Sequence, residues 1–158
     1  MPSLLKAVQD LAGLLPRVRD WGSSVLLLGM RVAVGRVFFL SGLVKVSDWD
    51  ATQFLFQTDY QLPLLPPGIA APLSAAFELG MPVLLLFGLC ARLAALPLVG
   101  MTLVIHFVLG GINPAYRTPD HFFWLLLLLA IVVQGPGRLS LDEILWPFLL
   151  RRRSPGPA

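Results

Sequence analysis

The chain has 158 residues, of which 56% are hydrophobic and only 13% charged, against about 25% charged in a typical soluble domain. With a mean hydropathy of +0.78 it lacks the polar surface that water requires, so the class is integral membrane protein with room for one compact bundle. The net charge of +3 does not point to nucleic acid, because the basic residues flank apolar stretches, as orientation signals do. The single cysteine, Cys90, excludes an internal disulfide and a CxxC redox centre.

The expected fold is all-α: an integral membrane four-helix bundle with flanking amphipathic helices. Its parts are an interfacial helix over 1–22, a four-span domain over 23–137, and an amphipathic segment with a basic tail over 138–158. In residues 3–20, Leu4, Val8, Leu11, Leu15 and Val18 alternate steps of four and three and so share one helical face. Lys6, Asp10, Arg17 and Asp20 make this stretch too charged to span, which predicts a helix lying in the interface and broken near Pro16. No short apolar core leads to a small-residue cleavage site, so a removable signal is not expected. Trp21 falls where an aromatic belt residue belongs.

The first span is predicted from Ser24 to Val44, about 20 residues and long enough for a bilayer. Gly29, Gly35 and Gly42 recur close to one face and predict a groove for close helix approach. Residues 45–68 read as a loop, with Asp48, Asp50 and Asp59 among aromatic residues and a rigid LPLLPPG run. A second span follows from Ile69 to Leu89, in which Ala76 and Gly80 make one small-xxx-small step. Arg92 marks a short turn into a third span, Leu93 to Leu109, so the second and third spans form a hairpin.

Gly110, Gly111, Asn113 and Pro114 signal another turn. The fourth span, His121 to Gln134, is short for a full crossing and is expected to start near Asp120. The GPG at 135–137 ends it, and Ser140 with Glu143 gives a capping-box signature before SLDEILWPFLL and Arg151–Arg153. With both termini on one side, that side holds Lys6, Arg17, Arg19, Arg92, Arg138 and Arg151–Arg153, while the other holds only Lys45 and Arg117. This asymmetry predicts a multi-pass protein of the cytoplasmic (inner) membrane with both termini in the cytoplasm.

Two charges of opposite sign sit inside apolar spans. A charge at membrane depth costs roughly 2.5–3.5 kcal/mol on insertion scales, so it needs a partner or a purpose. Arg36 lies about 12 Å and Glu78 about 13 Å below the outer face at 1.5 Å per residue, which predicts an Arg36–Glu78 ion pair. Arg31 lies deeper and is expected to snorkel to the inner interface. Ser41, Lys45, Asp48, His106, Asn113 and His121 bias further polar residues to the outer half. Glu78 and His106 are therefore the candidates for proton-moving groups, and Arg36, Glu78, Lys45 and His106 for ligand or ion-pair contacts. The two histidines both lie near the outer face, so a bis-histidine haem site is conceivable, but their different estimated depths argue against it. No metal-ligand cluster, nucleotide loop or nucleophile elbow is present, and Met30, Met81 and Met101 read as packing residues.

Three stretches carry a resemblance: RVAVGRVFFLSGLVKVSDW, FELGMPVLLLFGLCARLAALPLVGMTLVIHF and HFFWLLLLLAIVVQGPGRLSLDEIL. Over roughly residues 28–146 the chain resembles the DoxX family of small four-helix bacterial membrane proteins. The most recognisable parts are the run from Arg31 to Lys45, Glu78, and the G-L-x-x-R-x-A-A hairpin from Gly88 to Ala95. The LPLLPP loop and the GPGRLSLD segment resemble the branch associated with small metal- or stress-response gene sets. The resemblance implies a four-helix bundle in the cytoplasmic membrane. It also implies links to a thiosulfate:quinone oxidoreductase and to oxidative-stress or thiol-handling enzymes.

Three functions follow as expectations. The first is a membrane subunit or anchor for partner proteins in redox, metal or stress response, without independent catalytic activity. Its partners are the lipid bilayer, other proteins and further copies of itself, and not nucleic acid. The second is a quinone-linked oxidoreductase subunit, with quinone as the cofactor beside Arg36, Glu78 and His106. The third is a small-solute or metal-ion transporter with the outer polar set as its mouth.

Overall fold

The computed structural model describes residues 2–60, 62 and 65–145, with the backbone alone at 2–15 and 17. Among these residues the regular structure is entirely helical. Helix α1, Pro2–Ser47, runs through Pro16 without the expected break. Proline removes one N–H donor, and the turns on either side retain theirs. The apolar face expected at Leu4, Val8, Leu11 and Leu15, with Lys6, Asp10 and Arg17, concerns side chains outside the described residues. So do Trp146 to Ala158, including Arg151–Arg153.

The region expected to be a loop contains a second helix, α2, Trp49–Thr58. Asp48 caps it: its side-chain oxygen accepts from Ala51 N at 3.0 Å. Thr52 and Phe56, four residues apart, are its buried face, and Phe56 packs on Ala70 and Ala71. Helix α3, Pro67–Phe87, opens with proline at its first position, where a missing N–H is harmless, and ends at Gly88 in the left-handed conformation with φ 65°.

Helix α4, Ala91–Leu103, continues through a π-helical turn, Val104–Leu109, into a final turn, α5, Gly110–Ile112. A short 3-10 turn at Pro114–Tyr116, capped by the Asn113 side chain, leads to α6, Asp120–Gln134. Gly135 and Gly137, both with positive φ, then turn the chain back.

Three helical stretches are long and apolar enough to cross a membrane: Val18–Ser47, Pro67–Phe87 and Ala91–Ile112. Helix α6 is apolar but shorter, at 15 residues, and packs against α4 and α1. The core lies where Val34 and Phe38, Leu85, Leu98, and Leu128 and Ile131 converge from α1, α3, α4 and α6. Ala91, Ala94 and Ala95 let the neighbouring backbones approach. Large apolar residues point outward instead, with Val25, Leu93, Phe123 and Val133 58–75% exposed, as suits a protein whose solvent is lipid.

Candidate functional site

The two ends of the bundle place charge differently. At the end near Asp20 and Arg138, Arg31 is fully buried rather than snorkelling. Its guanidinium donates to the carbonyls of Leu85 at 3.2 Å and Leu86 at 3.4 Å, and also to Leu139. A cation thereby satisfies the open carbonyls at the C-terminus of α3. Across the hairpin, Asp142 does the converse for α4: its carboxylate accepts from Cys90 N at 2.8 Å and Ala91 N at 3.2 Å. Gly88 allows the clamp to close, since a Cβ there would collide with the Arg31 guanidinium and with Ser140. Ser140 Oγ also accepts from Glu143 N at 3.3 Å, the serine half of the expected capping box. This end is architecture.

A wide, more polar hollow of about 660 Å³ also opens at this end, around Asp20, Arg92 and Arg138, whereas the far end holds a more enclosed and more apolar cavity. Glu78, on α3, has a side chain only 3% exposed, and its Oε2 lies 2.6 Å from Lys45 Nζ. Lys45 also donates to Ser41 Oγ one turn away at 3.0 Å. Lys45, not Arg36, is therefore the partner of Glu78. The reason lies in Gly42, where a Cβ would come within 3.0 Å of Leu79 and Glu78, so this glycine sets the level of α3 against α1. Lys45 is three residues from Gly42 and turned only about 60° from it at 3.6 residues per turn. Arg36 is six residues away and turned about 120°, and it is exposed. The same arithmetic separates the glycines: Gly35, on the face of Gly42, lies against Pro82, whereas Gly29 shares the outward face of Arg36. Ala76 and Gly80 also face outward.

Above the ion pair opens a cavity of about 420 Å³ between α1, α2, α3, α4 and α6. Ser41, Lys45 and Glu78 form its polar floor, Leu73, Phe77, Met101 and Ile105 its apolar walls, and Tyr60, Tyr116, His121 and Trp124 its aromatic rim. Tyr60 and Tyr116 meet edge to face at 5.5 Å, an arrangement that favours paired rings. Burial, with Tyr116, Asp59 and Glu78 beside it, pushes the Tyr60 hydroxyl up to about 12, so it is a proton donor at neutral pH.

His106 does not line the cavity. It sits in the π-helical turn, with its ring 5.7 Å from that of His121 and 4.5 Å from that of Phe122, and its buried Nδ1 has no partner among the described residues. The two histidines, expected at different depths, are thus neighbours. The extra residue of a π turn re-aims side chains, and such turns gather at functional sites. Asp48 and Asn113 serve as caps and stay outside the cavity lining. Of the expected ligand or ion-pair residues, Lys45 and Glu78 come together, Arg36 faces outward, and His106 stands behind the rim. Sequence reasoning missed Tyr60 and Tyr116, which come from segments read as loops. Among the described residues no group of three metal-ligating side chains forms.

A family model described as DoxX matches residues 26–111, which include Arg31, Lys45, Glu78 and the α3–α4 hairpin. An uncharacterized protein of Haemophilus influenzae is 31% identical over 138 residues, covering 82% of this chain and 89% of its own length. No solved structure matches the chain.

Proposed function

The chain belongs to the DoxX family of membrane proteins, and from that premise we propose that it is a membrane subunit that binds a ring of the quinone class in the far-end cavity and works with a partner protein that supplies electrons. The observation that carries this reading is the Lys45–Glu78 pair on the floor of an otherwise apolar cavity. A charge pair withdrawn from water is expensive unless geometry or function repays it, and a lipid-facing protein has cheaper ways to join two helices.

The residues present fit such a ligand. About 420 Å³ lies within the usual range for small-molecule sites, which combine apolar walls with a few convergent polar groups. When bound, a quinone supplies two-electron, two-proton chemistry. The chain's own part is to hold the ring and handle protons. Lys45 and Tyr60 donate hydrogen bonds to ring oxygens, Trp124 and Tyr116 offer ring faces, and Glu78 exchanges a proton beside Lys45. His121, next to exposed Asp120, connects this group toward the far-end surface. The charge asymmetry of the chain supports an inner-membrane orientation with both termini cytoplasmic and the cavity on the outer side.

Transport is the weaker reading. Toward the Arg31 clamp, Val34, Phe38, Leu85, Leu98 and Leu128 are 0–3% exposed and close the route.

Native mass spectrometry of protein extracted gently from its own membrane tests the proposal. The wild type is expected to carry the mass of a membrane quinone, and Gly100→Phe to lose it. Gly100 lines the cavity, and a Cβ there meets nothing within 4 Å, so the added ring occupies ligand space. Lipids alone in both proteins would overturn the reading.

A further inference from the structure

Among the described residues Arg36 has no ion-pair partner, and it lies at membrane depth. It is exposed, and the ion pairs among the described residues are Lys45–Glu78 and Arg138–Asp20. At 1.5 Å per residue it lies about 16 Å from the α1 terminus at Ser47 and about 24 Å from Asp20. Its side chain leans back toward the helix N-terminus, away from the nearer interface. A hydrocarbon layer about 30 Å thick centred on the stretch from Asp20 to Ser47 puts Arg36 about 11 Å below the nearer edge, and with the side chain leaning the other way the guanidinium stays within the layer.

We propose that the α1 face carrying Gly22, Leu26, Gly29, Ala33, Arg36 and Leu40 docks a membrane-spanning helix of a different protein that presents a carboxylate to Arg36. These six residues are all exposed and repeat at steps of four and three, the spacing of a straight seam for a second helix in a left-handed pair. Nothing occupies the space at Gly29, so the partner backbone comes close beside the charge. A second copy of this chain is the poorer occupant. A two-fold contact along this seam sets Arg36 against Arg36. The described acids offer no alternative, since Glu78 is buried against Lys45, Asp20 pairs with Arg138 at the start of the apolar span Val18–Ser47, and Asp48, Asp50, Asp59, Asp120, Asp142 and Glu143 lie at or beyond helix ends. The inference rests on the subunit reading for the existence of a partner, but not on what the cavity binds.

A photo-crosslinking residue placed at Ala33 of the full chain, in its native membrane, tests it. The expected product is one adduct with another membrane protein, whose crosslinked peptide lies in an apolar span containing Asp or Glu. The same probe at Phe123, on an exposed face of α6, is expected to give none. Arg36→Leu should reduce the Ala33 adduct about three- to thirtyfold, the range expected for a polar contact between membrane helices. Arg36→Glu combined with Arg at the partner's carboxylate should restore it. A self-adduct, a lipid adduct, a partner span without a carboxylate, or an adduct insensitive to Arg36 overturns the proposal. Gly100→Phe separates the two readings, since it should abolish quinone retention and leave this crosslink intact.

Discussion

Glu78 and Lys45 share one short contact but differ in exposure, 3% against 17% for their side chains. Their loss should therefore be asymmetric. Removing the partner of a buried charge typically costs about 3–5 kcal/mol, and Lys45→Met leaves Glu78 with nowhere to go. Glu78→Gln leaves Lys45 free to move its flexible stem toward the far-end interface, at smaller cost. Thermal unfolding in detergent should rank Lys45→Met well below Glu78→Gln, with the double apolar variant recovering much of the loss. Equal losses would mean that the pair is not held as described.

Tyr60 adds a pH signature at the same scale. Its hydroxyl is raised from 10.0 to about 12, so between these values the unfolded chain releases a proton that the folded chain keeps. Stability from this group is complete below about pH 10 and is lost as pH rises toward about 12. Tyrosinate absorbance, compared between wild type and Tyr60→Phe, should show one titration removed from the high-pH end.

The sequence disclosed that Glu78 needs a cation at the right depth, but not which one. Counting from the ends of apolar runs favoured Arg36, whereas the angular relation of Lys45 to Gly42 decides the matter.

Among elements, the α3–α4 hairpin depends on groups from distant segments. Arg31 comes from α1 and Asp142 from the chain beyond α6, and both act on helix termini 50 or more residues away. Asp142→Ala should cost about 0.5–2 kcal/mol, as for loss of a helix cap, with Asp142→Asn milder. Gly88→Ala should be far worse, because it combines φ 65° with a collision against Arg31 and Ser140. Heat denaturation of both variants checks the order.

Hydropathy made the apolar helices easy to see, because a bilayer demands length and apolarity above all. Helix α2 escaped notice for a corresponding reason. It is ten residues of mixed character beside a proline-rich run, and only the Asp48 cap with the Thr52 and Phe56 spacing announces it. The π turn at His106 was equally illegible, since one inserted residue leaves no mark in an apolar run. Both omissions fell on the cavity lining, to which α2 contributes Phe56 and the π turn Ile105.

For the whole molecule, the two ends divide the labour. The Arg31–Asp142 clamp fixes the helices at one end, the packed core closes the middle, and the far end keeps a cavity floored by an ion pair. The family resemblance was legible because its residues mark both ends: Arg31 and Gly88 in the clamp, Lys45 and Glu78 in the cavity. The outward face of Arg36 then leaves α1 available to a partner, consistent with a subunit that does not act alone.

The most direct measurement is photolabelling of the membrane-embedded protein with an azido-benzoquinone, followed by peptide mapping. Labels concentrated on peptides containing Tyr60, Ser74, Met101 or Tyr116, and competed by unlabelled quinone, are the predicted result. Labels scattered over outward residues such as Val83, Leu93 and Phe123, unaffected by competitor, would contradict a quinone site in the cavity.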